Sequence, residues 1–371
     1  MMANMVASLR LLNSRASAKI LGAQYASTLA SQRLELCPPE IGYTPPSFQL
    51  DGQLERVLCC HPETTLAHEL KRLRGGKTVH RGSYAYHMRD VLLEQRTLAK
   101  GRWVSRFPAG SAAPSVTHAE ISEDSAFVSS FCGVRYFGHW LRDDLVTLEA
   151  ARRLGMPVSL SLPAWPDVPL YQGLLDAAVD TYDSCRFRSL WVFDDVGQNI
   201  FRRQRYRDIQ EKLAVRIVPE YPDGANVYLR RGMTGLTKRK VINDRELTDD
   251  LEASGFVVAD MESDATEIIL RRLLRARNVI TVEGSQHNHA FFLMNPKANF
   301  ISLVDPRMFT NVAKDVTTAL GFSHGIVVGV PEADGFTVPP HEVLQTLELM
   351  ERSHSCASVT SATGLSRSMP P

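Results

Sequence analysis

No stretch of this sequence approaches the ~18 consecutive apolar residues that cross a bilayer, so no membrane-spanning helix is expected. An excess of either charge is also missing: 42 Lys and Arg face 41 Asp and Glu, a formal net charge of +1. That balance argues against a broadly electropositive surface for polymeric nucleic acid and leaves room only for local basic patches. Cysteine is scarce. The six residues at 37, 59, 60, 132, 185 and 356 form no CxxC and stand at no zinc-finger spacing from histidine, which points to reduced thiols in a cytoplasmic protein without a resident metal. There is no Walker P-loop, no GxGxxG, no GxSxG and no HExxH, which disfavours the common nucleotidases, dehydrogenases, serine hydrolases and zincins.

What is present is a globular composition, 44% hydrophobic and 22% charged, on a 371-residue chain longer than the ~250 residues at which single cores stop growing. Two domains are expected, over 35–205 and 206–350. Residues 1–34 contain Arg10, Arg15, Lys19 and Arg33 but no acid, and read as a basic, weakly structured extension. An amphipathic arm on an anionic membrane, or a transit peptide, has the same composition. Residues 351–371, rich in Ser and Thr and ending Pro-Pro, read as a disordered tail.

In the first half, apolar runs at Val57–Cys60, Ala126–Cys132, Val158–Leu162 and Leu190–Phe193 alternate with helical patterns near Trp140–Leu154 and Tyr171–Val179. The segment 198–207 carries Arg202, Arg203, Arg205 and Arg207, and reads as a linker or a helix with a solvated basic face. The second half is clearer. Strands are predicted at Asn226–Leu229, Phe256–Ala259, Val279–Val282 and Phe300–Val304. Helices between them start at Asn243 with Glu246 as a capping box, at Ser263, and over His289–Met294. This β-α-β-α-β-α-β rhythm specifies a parallel, Rossmann-like sheet.

Ligands of such sheets bind outside the carboxyl ends of the strands. Arg230-Arg231-Gly232 and Glu283-Gly284-Ser285-Gln286 fall there. The arginines suit phosphate oxygens, Gly284 admits a close backbone, Ser285 offers a hydroxyl, and Glu283 suits a sugar or ribose hydroxyl. An ordinary turn with Ser285 as N-cap is the competing reading. His289 can hydrogen-bond a phosphate or hydroxyl, whereas His287 and His289, two apart, do not form a chelating pair. In the first half, His139 and Asp143 share a helix face and could form an oriented base, with Asp144 beside them. Solvated aspartates at a helix start are the alternative. Asp194-Asp195 after a strand could hold Mg²⁺ or Mn²⁺, or simply form a turn.

The succession Gly138-His139-Trp140, Asp143-Asp144-Leu145, Val227 to Arg231, Arg239 to Asn243 with Glu246-Leu247, Gly255 to Val258, Ala276 to Ile280, Glu283 to Gln286 and His289-Ala290 resembles glycosyltransferase family 61. The bacterial capsular-polysaccharide members are the most similar, and the resemblance covers roughly residues 130–310. Most members carry His-Gly-Ala where this chain has Glu283-Gly284-Ser285. The resemblance implies a GT-B-like α/β fold of two facing Rossmann-type domains with parallel sheets. It implies an inverting transfer of sugar from a nucleotide-sugar donor to a glycan or lipid-linked hydroxyl, with no obligate metal or other cofactor and no nucleic acid as partner. Peripheral association with the inner face of a membrane is compatible with it. In this reading Asp143 or Asp144, with His139, supplies the base. Arg230, Arg231, Asn243, Glu283, Gly284, Ser285 and His289 hold the donor. A catalytically inactive binding protein of the same fold and a metal-dependent transferase using Asp194 and Asp195 are the rival expectations.

Overall fold

The computed structural model describes residues 2–108, 119–232 and 239–363, with side chains left aside at 2–8, 119 and 355–363. In chain order the elements are α1 (Met2–Leu21), α2 (Ala26–Leu29), β1 (Gln32–Cys37), β2 (Glu40–Thr44), α3 (Leu66–Arg74), β3 (Gly76–His80), β4 (Ser83–Glu94), β5 (Thr97–Lys100), β6 (Trp103–Arg106) and β7 (Ala119–Phe127). There follow α4 (Phe137–His139), a π-helical turn (Trp140–Asp144), α5 (Leu145–Ala151), β8 (Met156–Ser159), α6 (Val168–Leu175), β9 (Asp180–Thr181), β10 (Cys185–Asp194) and α7 (Ile200–Arg216). The remainder runs β11 (Asn226–Arg230), α8 (Asp244–Ala253), β12 (Phe256–Asp260), α9 (Thr266–Leu273), β13 (Asn278–Val282), α10 (His287–Phe291), β14 (Asn299–Val304), α11 (Ala313–Leu320), β15 (Ser323–Val328), β16 (Val330–Glu332), β17 (Gly335–Thr337) and α12 (Pro340–Thr363).

The chain divides into two units, one of residues 1–41 with 79–216 and the other of 42–78 with 217–371. The first holds an eight-stranded sheet ordered β6-β5-β4-β10-β7-β8-β9, with β1 pairing to β4. Strands β10, β7, β8 and β9 run parallel, while β1, β4, β5 and β6 pair antiparallel. The expected parallel sheet is therefore realised in only half of this unit. The sequence reading passed over β4, because a charged stretch (Arg89-Asp90) interrupts its apolar run. Its core gathers Met88, Val91, Leu93, Phe127, Val158, Phe187 and Leu190.

The second unit is parallel throughout, with order β12-β11-β13-β14-β15. Every residue of β13 (NVITV) and β14 (NFISLV) is buried, as expected of strands covered by helices on both faces. The four predicted strands are present within a residue or two, and β15 adds a fifth. Two details differ: α9 starts after Ala265 instead of being capped by Ser263, and α10 occupies His287–Phe291 instead of His289–Met294.

Three boundary expectations also change. Residues 42–78 belong to the second unit: Phe48 exchanges backbone hydrogen bonds with His324 and Ile326, and Arg56 pairs with Glu342 at 2.6 Å. Residues 206–216 complete α7 in the first. The amino-terminal segment forms α1 and packs on β4, β5 and β6, with Leu11 buried. At the other end α12 continues to Thr363, with Pro340 as its first residue, where a missing N–H costs the helix nothing. Residues 364–371 of the expected tail lie outside the described residues.

Candidate functional site

In the second unit the chain builds β11 first, turns to β12 on one side, then returns to β13 on the other. The carboxyl ends of β11 and β13 thus flank the topological switch point, where doubly wound sheets hold ligands. Arg231, Arg239, Glu283 and Gly284 converge there. Arg231 donates to the Glu283 carbonyl at 3.2 Å, and an Arg239 nitrogen stands 3.0 Å from the Glu283 carboxylate. Burial lowers the Arg231 pKa, and the neighbouring Arg239 charge lowers it further. A β-carbon at Gly284 would sit 2.9 Å from the Arg231 guanidinium and 2.4 Å from Gln286 Oε1, so glycine permits this closeness. Asp305, just past β14, has its pKa raised by burial and accepts from the Arg307 N–H. Ser285 is exposed at the rim. Two guanidinium groups meet at Glu283, Arg231 on its backbone carbonyl and Arg239 on its carboxylate, a pairing of cations suited to an anion.

Three expected donor contacts are engaged elsewhere. Arg230 bridges Asp244 at 2.7 Å and Asp260 at 2.6 Å, clamping β11 to α8 and β12. Asn243 does not cap α8 with its side chain: its amide both donates to and accepts from the backbone of Val338, at 2.9 Å each, and also reaches Glu246. His289 is fully buried, because the short α10 packs between α9 and α11. At five residues, α10 is also too short to present the anion-binding helix end expected after Ser285. Of the predicted donor set, Arg231, Glu283, Gly284 and Ser285 remain together.

The first unit has its own switch point. Its parallel strands place β7 between β10 and β8, and the His139–Asp144 turn follows β7 directly. The π-helical turn Trp140–Asp144 widens the helix, and α4 and α5 continue it on either side. His139 Nδ1 is 2.7 Å from Asp143 Oδ2. The other Asp143 oxygen accepts from Arg202, whose side chain is 1% exposed. The Arg202 guanidinium also donates to Tyr206, to the Asp195 carbonyl and to the Arg142 carbonyl. One Arg142 nitrogen lies 3.1 Å from both His139 ring nitrogens.

The surroundings shift Asp143 and Asp144 in opposite directions. The arginines at 142 and 202 overcome the burial penalty and hold Asp143 well below the usual carboxylate range. Burial pushes Asp144 well above it, and the Asp143 charge adds to the push. Asp144 accepts from the Ser130 N–H at 3.1 Å, and its carboxyl occupies the space a Gly133 side chain would need. It pins the loop after β7. The basic face expected on α7 is instead part of the interior: Arg205 chelates Asp195 at 2.6 and 2.9 Å, and Ser83 donates to the same carboxylate at 2.6 Å. Asp194 pairs with Arg81 at 3.0 Å. The two aspartates thus serve as arginine and serine partners, and among the described residues no group of three or more His, Cys, Asp and Glu gathers as metal ligands.

The residues that sequence reasoning missed are Arg142, Arg202, Arg205 and Asp305. The available signal was the i, i+3 spacing of Arg202 and Arg205, which puts both on one helix face. In the comparisons with known proteins, the chain matches no protein-family model and no curated protein sequence.

Proposed function

We propose that the protein is a glycosyltransferase that moves a sugar from a nucleotide-sugar donor to a hydroxyl acceptor with inversion. The observation that carries this reading is the convergence of Arg231 and Arg239 on Glu283 and Gly284 at the β11–β13 switch point. A diphosphate leaving group needs such paired, preorganised cations, because negative charge grows on it as the glycosidic bond breaks. The resemblance to glycosyltransferase family 61 supports the same reading and brings the GT-B-like two-domain arrangement with it.

His139 is the proton acceptor in this proposal. Its Nε2 takes the proton from the acceptor hydroxyl, whose oxygen attacks the anomeric carbon. The bond from the anomeric carbon to the donor diphosphate breaks, and its electron pair leaves with the diphosphate. Asp143 holds the imidazole by Nδ1 and stabilises the imidazolium that forms. Burial raises the Asp144 pKa, and its carboxyl is engaged with the Ser130 N–H, which favours His139 within the expected trio.

The departure at Glu283-Gly284-Ser285 favours one alternative, a protein that binds nucleotide or carbohydrate without turnover. Release of nucleoside diphosphate from a panel of nucleotide sugars separates the two. Release that His139→Ala abolishes while donor binding persists supports the transferase. Binding without release in the wild-type protein supports the alternative.

A further inference from the structure

The helix α1 buries one face and leaves an apolar stripe on the other. Leu11 is 3% exposed, and Arg15 donates to Thr97 at 3.0 Å, so positions 11 and 15 face the β4–β6 sheet edge. Leu9, Leu12, Ala16 and Ile20, spaced by 3, 4 and 4 residues, form a single line along the opposite face. Leu9 is 57% exposed, Leu12 58% and Ile20 79%; Leu21, at the helix end, and Tyr25 beyond it are exposed as well. Three large apolar side chains in one row with no described residue over them differ from the scattered exposed leucines of an ordinary surface.

The charges around this row are of one sign. Arg10 and Lys19 are exposed on α1, and no acid occurs in the first 34 residues. The edge under the helix adds Arg102, which donates to the Leu21 carbonyl at 2.6 Å, and the exposed Arg106. A row of leucine and isoleucine bordered by lysine and arginine matches the acyl–headgroup boundary of an anionic bilayer, where apolar side chains sink in and cations remain with the headgroups. No helix among the described residues is long and apolar enough to cross a membrane, so this contact lies in the interface plane.

We infer that α1 docks the protein on an anionic lipid surface through Leu9, Leu12 and Ile20, with Arg10 and Lys19 as the electrostatic partners. The inference is independent of the proposed transfer reaction. The test is co-sedimentation of the full chain with vesicles of phosphatidylcholine alone and of phosphatidylcholine with phosphatidylglycerol at 7:3. Binding to the mixed vesicles is expected, with at least tenfold weaker binding to phosphatidylcholine alone and a marked loss in high salt. Leu9→Gln/Leu12→Gln/Ile20→Gln changes only exposed positions, and is expected to lower binding at least tenfold with the thermal unfolding midpoint unchanged. Equal binding by wild type and triple variant, or none by the wild type, overturns the inference. So does a wild-type dimer in light scattering that the triple variant converts to monomer, because the row would then meet a second copy.

Discussion

Asp143 and Asp144 are neighbours in the chain pushed in opposite directions: two arginines hold the pKa of the first well below the usual carboxylate range, and burial drives that of the second well above it. The π-helical turn makes this division by giving each its own surroundings, Arg202 and His139 for one and the Ser130–Gly133 loop for the other.

Separate replacement of the two therefore has unequal effects. Asp143→Asn removes the charge that orients His139 and is expected to lower turnover by ~10²–10⁴-fold. It also removes the nearer of the two carboxylates at the buried Arg202, leaving Asp195 at 3.7 Å, and is expected to lower the unfolding free energy by about 1–3 kcal/mol. Asp144→Asn leaves the His139–Asp143 pair in place and is expected to keep turnover within a few-fold. Steady-state rates and chemical denaturation of both variants check this.

Arg202 positions Asp143 and touches no reacting atom. Arg202→Lys retains a cation but not the fan of bonds to Asp143, Tyr206, Asp195 and Arg142. Turnover is expected to fall about tenfold or more with the donor KM unchanged, and the pH–rate profile to shift. A KM that rises in step with an unshifted profile would mark Arg202 as structural only.

How much of this was legible beforehand depended on the interaction involved. Val279 to Val282 and Phe300 to Val304 are β-branched or apolar runs that only buried parallel strands accommodate, so the second unit could be read from its pattern. His139 with Asp143 was visible because four residues is one helical turn. The Arg202–Asp143 and Arg205–Asp195 pairs join residues far apart in sequence, and no local pattern distinguishes a buried arginine from a solvated one. The same limit applied to Arg230, whose place at a strand end was correct but whose partners, Asp244 and Asp260, come from later elements. Residues 42–78 join the second unit through contacts to β15 and α12 that nothing local announces.

The second unit carries its own pH sensitivity. His324 is buried between Ser47 and Ser302, and burial, with the Lys314 and Arg72 charges, holds its pKa well below the usual value. The unfolded chain, titrating near ~6.5, binds the proton first. Stability from this group is thus present above about pH 6.5 and is lost as pH falls below it, with a slope of at most about 1.4 kcal/mol per pH unit. Thermal unfolding between pH 8 and 5 should show this decline, and His324→Gln should flatten it.

At the switch point, Gly284→Ala places a methyl group against Arg231 and Gln286, two side chains with movable ends. Nucleotide affinity is expected to fall about tenfold with little change in the unfolding midpoint. Arg230→Ala is expected to do the reverse in kind, destabilising the β11–α8–β12 clamp before it affects affinity.

The most direct test is calorimetric titration of wild type, Arg231→Ala and Arg239→Ala with a panel of nucleoside diphosphates and their sugars. At least one ligand is expected to bind the wild-type chain, with each variant weaker by ~10–100-fold, as the loss of a charge-assisted contact of about 1.5–3 kcal/mol requires. Absence of binding across the panel at millimolar ligand, or equal binding by all three proteins, would contradict the account.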